Sequence, residues 1–402
     1  MKRRSILPAI LFLLSLFYAC ERSEEFDHLY LVDHSLVRSY TASNIITSLS
    51  LLETLYPEIS ILADRIDKDI KVYSISYKTF FQGREVTASG LVSLPDNPGA
   101  YPLISFQNGT NTCHSNAPTA DPNNLLYSML NMNSGLGFVI AIPDYLGFGE
   151  SEEILHPYHH TESSNQVIRD MINAVEELSD YIEGVDINKD LYLMGYSQGG
   201  WATLAVLKDL ENNLPEGYNL RAASCGAGAY DPLDFTHYIL SLEEYPSPFY
   251  LPYYIESRRQ NNIINDQLDR FFKEPYPGLI PGLFDGSLCN SELNSQLTTS
   301  IPELLTENLL AGFDSSDDFS QLRSELDASV ISPWKVKTPV LFAHSNGDEN
   351  VPFSQSLKMY NNLLDAGTEE SMLDFLELDG LLHNEAIIPW GISTLTWFID
   401  RE

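Results

Sequence analysis

Residues 191–210, LYLMGYSQGGWATLAVLKDL, contain the change of pattern that decides the fold. The first four residues form a continuous apolar run, which is typical of a buried strand. Glycine and polar residues then interrupt the run, and apolar residues recur at helical spacing from Trp201 to Leu210. The segment therefore predicts a strand, a sharp turn and a helix, in that order.

The turn, Gly195-Tyr196-Ser197-Gln198-Gly199, fits the pattern G-x-S-x-G. In this pattern a serine occupies a strained turn, and its hydroxyl projects from the end of the strand. Glycines are needed on both sides because a β-carbon would collide where strand and helix fold back on each other. Ser197 is thus a candidate nucleophile, and the amide of Gln198 is a candidate donor toward a negative charge formed beside it.

Strands and helices are predicted to alternate on both sides of this turn. A hairpin is expected over residues 70–81 and 85–94, and buried strands over 103–106, 138–142, 340–343 and 373–378. Helices are expected over residues 161–181 and 385–399. The pattern predicts an α/β protein with a doubly wound, mostly parallel sheet.

The alternation of predicted strands and helices divides the mature chain into three parts. Residues 21–68 are interpreted as a tether followed by helical segments, and residues 69–230 and 333–402 as one catalytic domain. Residues 231–332 are rich in proline and aromatic residues and interrupt the alternation, so they are predicted to form an inserted, mainly helical cap. An unrelated second domain is the alternative. The cap aromatics expected to wall a substrate pocket are Tyr250, Tyr253, Tyr254, Phe271, Phe272 and Phe284.

A nucleophilic serine needs a base and a group that orients the base, and later strands supply candidates for both. Asp348 follows the apolar run 340–343 and is the candidate acid, with Glu349 as a weaker substitute. His383 follows the last predicted strand and is the candidate base, because no other histidine comes after Asp348. The order serine, acid, histidine is the one expected for this type of turn.

A second oxyanion donor is expected from the loop after the strand 103–106, Gln107-Asn108-Gly109-Thr110-Asn111. The amide of Thr110 is the first choice, and that of Gly109 is the alternative.

Three histidines, at positions 156, 159 and 160, are close enough in sequence to suggest a metal site. Pro157 prevents a regular helical spacing, however, and no complete ligand set is evident. The preferred interpretation is that these histidines pack near the site entrance. No cofactor motif is visible, and neither a cofactor nor a metal is expected.

The N-terminus predicts export. Residues 1–20 contain three basic residues, an apolar stretch and then Ala19-Cys20, as in a secretory signal whose final cysteine is lipidated. Cys20 is therefore a candidate lipidation site, with simple secretion as the alternative. The formal net charge of −33 makes nucleic acid and anionic membrane surfaces poor partners.

Three further cysteines agree with an oxidising compartment. Cys225 lies in a predicted buried strand and is expected to be the free thiol. Cys113 and Cys289 then remain as the partners of a disulfide, which would join the catalytic domain to the cap.

Several motifs together resemble the α/β-hydrolase superfamily, specifically its secretory lipases and esterases with a large inserted lid. They are GYSQGG at 195–200, the Asn-Gly-Thr loop with its nearby cysteine, PDYLGFG at 143–149, HPYH at 156–159 and the acid loop 347–352. The resemblance covers residues 70–402 and implies an exported, lipid-anchored serine hydrolase. Its substrate would be a small-molecule or lipid ester, and the protein is expected to be a monomer. A peptidase on the same fold and an inactive surface binding protein are the alternatives.

Overall fold

The structure, a computed structural model, describes residues 28–402, so the predicted signal and Cys20 lie outside the described residues. Within these residues nine strands form one sheet, in the order β1-β2-β3-β5-β4-β6-β7-β8-β9. The strands are β1 Leu31–Tyr40, β2 Ile70–Phe81, β3 Arg84–Pro95, β4 Gly99–Gln107, β5 Val139–Pro143, β6 Val185–Tyr196, β7 Asn219–Gly226, β8 Val340–Ser345 and β9 Leu373–Leu378. The first three strands and the β3–β5 pair are antiparallel, and all later pairs are parallel.

Helices cover both faces of the sheet. Those that belong to the sheet domain are α1 Ala42–Ser50, α2 Ser60–Ala63, α3 Leu125–Met132, α4 Thr161–Ser179, α5 Gln198–Asn213, α13 Ser354–Asp365 and α14 Ile387–Ile399. One apolar core includes residues of α4, α5 and α13, and a second includes residues of α1, α2, α3 and α14. The predicted doubly wound, mostly parallel sheet is confirmed. No helix within residues 28–402 is both long and apolar enough to cross a bilayer.

The prediction of a tether followed by helical segments at residues 21–68 was wrong at residues 31–40, which form β1. This strand pairs with β2 at the sheet edge, but nearly all of its side chains are at least partly exposed. It therefore lacks the alternation of buried and exposed residues by which a strand is recognised. The carboxylate of Glu177, in α4, accepts hydrogen bonds from the backbone N–H groups of Leu29, Tyr30 and Leu31 and fixes the start of the strand.

Residues 231–332 contain the remaining helices and a separate apolar core. The helices are α6 Pro232–Leu240, α7 Tyr250–Gln260, α8 Tyr276–Leu283, α9 Asn290–Asn294, α10 Ile301–Leu304, α11 Glu307–Gly312 and α12 Ser320–Ala328. We call this segment the cap. It lies in the chain between β7 and β8, so it leaves the sheet after β7, the neighbour of the strand that precedes Ser197, and rejoins it at β8, on the other side of β7.

A buried arginine joins the cap to the sheet domain. The side chain of Arg258, in α7, is completely buried and donates hydrogen bonds to the backbone carbonyls of Tyr158 and His159. It also donates to the Ser329 hydroxyl and lies 3.6 Å from a carboxylate oxygen of Glu325. A buried guanidinium needs such partners, because an unpaired charge would be strongly destabilising.

Candidate active site

The turn after β6 holds Ser197 in a strained conformation. Ser197 has φ 60° and ψ −124° and directly precedes α5, and positive φ is costly for a residue with a β-carbon. Its backbone N–H donates to the carbonyl of Gly226 at the end of β7. The neighbouring strand therefore helps to hold the serine at the carboxyl edge of the sheet.

The two glycines of the motif are required by close backbone approaches. A β-carbon on Gly195 would lie 2.3 Å from the carbonyl oxygen of Gly199, and one on Gly199 would lie 1.9 Å from the carbonyl oxygen of Gln107. Both distances are far inside van der Waals contact, so neither position accommodates a larger residue without movement of the backbone. This is the local reason for glycine on both sides of Ser197.

Three side chains from three loops meet at this edge of the sheet. The Ser197 hydroxyl lies 2.9 Å from Nε2 of His383 and can donate its proton to that nitrogen. The Nδ1 of His383 lies 2.6 Å from Oδ2 of Asp348 and donates to it. The structure thus brings together the predicted nucleophile, base and acid in a continuous hydrogen-bonded series.

Asp348 is held as a carboxylate by four donors. Its Oδ1 accepts from the backbone N–H groups of Asn350 and Val351, and its Oδ2 accepts from His383 and, at 3.2 Å, from Nε2 of His344. Burial alone would raise the pKa of Asp348, but the hydrogen bonds from the two imidazoles outweigh it and hold the pKa well below its usual range. The group is therefore ionised at neutral pH.

His344 was missed by the sequence analysis. It lies at the end of β8, is completely buried, and its Nδ1 lies 2.7 Å from the Ser356 hydroxyl. Because Nε2 faces only the oxygens of Asp348 and Val351, it carries the proton, and Nδ1 accepts from Ser356. A single histidine in an apolar strand forms no sequence pattern that would predict a hydrogen bond to the catalytic acid. Its position four residues before Asp348 is the only signal in the sequence.

The backbone of His383 is fixed on both sides. Its N–H donates to Glu349 at 2.8 Å, and its carbonyl accepts from the Tyr196 hydroxyl at 2.8 Å. Glu349, considered above as a substitute acid, therefore binds the backbone rather than the imidazole. Tyr196, the residue before the nucleophile, joins the turn after β6 to the loop after β9.

The loop after β4 lies beside the serine. A β-carbon on Gly109 would be 3.8 Å from the Ser197 β-carbon, and Gly109, Thr110 and Ser197 line the same cavity. The Thr110 hydroxyl lies 3.0 Å from that of Tyr158. Both candidates for the second oxyanion donor, Gly109 and Thr110, are thus close to the nucleophile.

The side chain of Gln198 is held by a histidine of the predicted cluster. The Nδ1 of His156 donates to the carbonyl of Leu146 at 2.7 Å, so Nε2 accepts from the Gln198 amide at 2.8 Å. Burial lowers the pKa of His156 to about 4, which keeps the ring neutral. His156 therefore packs beside the nucleophile turn, as the sequence analysis preferred. Within residues 28–402 no group of three or more histidine, cysteine or acidic side chains is arranged to bind a metal.

The cavity at Ser197 has a volume of about 160 Å³. Of the six cap aromatics expected to wall it, Tyr250 alone lines it, together with Phe106, Leu126 and Ile387 of the sheet domain. Phe271 and Phe272 are instead buried in the cap core, so the expectation was wrong for most of the group. A larger cavity of about 590 Å³ lies elsewhere and does not include Ser197 among its lining residues.

The cysteines are arranged as expected. Cys113 and Cys289 form a disulfide between the loop after β4 and the cap, with an S–S distance of 2.01 Å. Cys225 is a buried free thiol, and burial raises its pKa. The thiol therefore stays protonated and unreactive in the core.

The fold and this site define a serine hydrolase of the α/β-hydrolase type. The profile of the prolyl oligopeptidase family matches residues 126–235, which include the turn at Ser197. No curated protein matches the chain.

Solved structures with the same fold include esterases and a lipase. A putative hydrolase from Legionella pneumophila is 26% identical, with a TM-score of 0.80 over 92% of this chain and 97% of that one. The rice cell wall degrading esterase LipA from Xanthomonas oryzae is 20% identical, with a TM-score of 0.78 over 91% and 95%. Candida antarctica lipase A in its closed state is 15% identical, with a TM-score of 0.67 over 92% and 81%. The last two likenesses concern the fold alone.

Proposed function

We propose that the protein hydrolyses carboxylic esters through an acyl-enzyme intermediate on Ser197. The observation that carries the proposal is the hydrogen-bonded series from the Ser197 hydroxyl through His383 to the ionised Asp348. This arrangement supplies a nucleophile, a general base and a carboxylate that orients the base. An inactive binding protein would have no need of all three.

Each half of the reaction uses the same groups. His383 takes the Ser197 proton as the serine oxygen attacks the ester carbonyl, and it then gives that proton to the departing alcohol. Water next attacks the acyl-enzyme with His383 again as base, and His383 returns this proton to the Ser197 oxygen as the bond to the acyl group breaks and the acid leaves. Asp348 stays ionised throughout and stabilises the imidazolium. The amide of Gln198 and one from the loop at 109–110 would stabilise the oxyanion.

The small cavity favours small acyl groups. Pockets for drug-sized ligands have volumes of about 300–1,000 Å³, and the cavity beside Ser197 is about 160 Å³. Each methylene that fits would contribute about 0.8 kcal/mol to binding. We therefore expect kcat/KM to be highest for short to medium acyl chains and to fall when the chain exceeds the cavity.

Peptide hydrolysis is the second candidate, because the matched family profile is that of prolyl oligopeptidases. A panel of p-nitrophenyl esters of increasing chain length, measured beside aminoacyl p-nitroanilides, separates the two activities. Turnover of esters with none of the anilides supports the esterase, and turnover of the anilides supports the peptidase.

Covalent labelling tests the serine mechanism itself. A fluorophosphonate probe should label the wild-type protein and leave Ser197→Ala unlabelled. The substitution removes one oxygen from a turn whose shape is set by glycines, so the fold should persist while kcat falls by about 10⁴ to 10⁶. Wild-type turnover in Ser197→Ala would refute the mechanism.

We also propose that the protein is exported and anchored by lipid at Cys20. The apolar N-terminal stretch that ends in Ala19-Cys20 supports this, and so does the Cys113–Cys289 disulfide, which suits an oxidising compartment. Cys20→Ser should move the protein from the membrane to the soluble fraction. An intact mass with an unmodified Cys20 would refute lipidation.

A further inference from the structure

The cap binds every residue of the loop from 110 to 114. This loop follows β4, and its first residues lie beside Ser197. The contacts are the Asn290 amide to the Thr110 carbonyl, the Tyr253 hydroxyl to the Asn111 carbonyl, the Thr112 hydroxyl to the Leu288 carbonyl, the Cys113–Cys289 disulfide, and the His114 N–H to the Gly286 carbonyl. Contacts on five successive residues leave the loop little freedom of its own.

Asn290 contacts the loop at two residues, Thr110 and Thr112. Its Nδ2 lies 2.7 Å from the Thr110 carbonyl oxygen, and its Oδ1 lies 2.9 Å from the Thr112 hydroxyl. One side chain thus spans the loop with its donor and its acceptor. Asn290 follows Cys289 directly, so the disulfide places it, and it also lines the cavity that contains Ser197.

We infer that Asn290 is a positioning residue for the oxyanion donor of this loop. The inference rests on the proposed ester hydrolysis and adds that the cap completes the catalytic machinery, besides covering it. The Asn290 bond fixes the orientation of the Thr110 carbonyl, and the preceding peptide group, which carries the candidate amide of Thr110, is fixed with it. The direction of the donor N–H can therefore depend on Asn290 without a direct contact between the two groups.

Such positioning acts on the transition state more than on substrate binding. Oxyanion donors are effective because they are aimed at the developing charge before the reaction occurs. Loss of one donor costs about 10² to 10³ in kcat, and a misplacement of about 1 Å can cost about 10². A loop released from Asn290 keeps its donor but loses the fixed direction. We therefore expect Asn290→Ala to lower kcat about 10- to 100-fold with KM changed by less than about threefold.

The matched control is Asn294→Ala. Asn294 lies on the same short helix, and its amide donates to the Pro246 carbonyl at 2.8 Å, which lies within the cap. The two substitutions delete the same group from neighbouring sites, and only Asn290 contacts the loop beside Ser197. Asn294→Ala should keep kcat within about twofold of wild type.

The experiment measures kcat and KM for a short p-nitrophenyl ester, together with the inhibition constant of an aryl boronic acid, which forms a tetrahedral adduct with the serine. In Asn290→Ala the boronate should bind more weakly by the factor that kcat loses, since both report the tetrahedral state. A kcat within about twofold of wild type, or a raised KM with unchanged kcat, would overturn the inference. An absence of ester turnover in the wild-type protein would instead refute the proposed function, and with it this inference.

Discussion

Two buried histidines, His156 and His159, and the partly buried His160 should make the folded protein sensitive to mild acid. Burial lowers the pKa of His156 to about 4, of His159 to about 3 and of His160 to about 4, and the ordinary value is about 6.5. The unfolded chain therefore takes up these protons at a higher pH than the folded protein does. The free energy of unfolding is fully maintained above about pH 6.5 and falls as the pH drops toward 4.

The expected magnitude follows from the shifts. A histidine with a pKa of about 4 when folded and about 6.5 when unfolded destabilises the protein by about 2 kcal/mol at pH 5 relative to pH 8. Three such groups lower the free energy of unfolding by an amount comparable to the whole stability of a small protein, about 5–15 kcal/mol. Asp348 does not contribute to this loss, because its lowered pKa reduces the free energy of unfolding only below about pH 4.

His160→Asn isolates one of these groups. The Nδ1 of His160 accepts from the Ser163 N–H at the start of α4, and asparagine is a preferred residue for that capping position. The variant should therefore fold normally. Its free energy of unfolding should fall by about 2 kcal/mol less than that of wild type between pH 8 and pH 5. His237→Asn is the control, because it makes the same substitution at a histidine whose side chain is exposed.

Urea unfolding at pH 8, 6.5 and 5, followed by tryptophan fluorescence, gives the required free energies. Comparison with the variant removes the contribution of the acidic surface, which changes with pH in both proteins. If wild type and His160→Asn lose the same free energy between pH 8 and pH 5, the imidazole of His160 is not held neutral by burial, and the reasoning is wrong.

Three further predictions concern stability. Replacing Cys113 and Cys289 by serine should lower the free energy of unfolding by up to about 5 kcal/mol, because the disulfide spans 176 residues of sequence, and denaturation with and without reductant measures this. His344→Leu should lower the free energy of unfolding by about 1.5–3 kcal/mol, since it removes a hydrogen bond to the charged Asp348, and an unchanged urea unfolding curve would contradict this. Glu177→Ala should speed hydrogen exchange in Leu31–Tyr40 while the central strands keep their protection.

The parts of the fold and site that could be predicted are those with a local pattern or a fixed order. The turn at Ser197 is visible because close backbone approaches demand glycine at 195 and 199. Asp348 and His383 follow from chain order and from their places after apolar runs. The sheet class follows from the alternation of strands and helices on both sides of the turn.

The parts that could not be predicted depend on contacts between distant segments. β1 is held by backbone pairing and by Glu177, so its side chains show no pattern. The position of Glu349 beside the His383 N–H is decided by how two loops meet. Whether an aromatic residue of the cap faces the cavity, as Tyr250 does, or packs inside, as Phe271 does, depends on a tertiary arrangement that composition does not encode.

The fixed attachment of the cap has a consequence for kinetics at oil–water boundaries. An enzyme whose lid opens at a lipid–water interface shows an abrupt increase in rate when its substrate begins to form micelles. Here Arg258 and the disulfide join the cap to the sheet domain at separate points. We therefore expect the rate to rise smoothly with the concentration of dissolved ester and to show no step at the critical micelle concentration.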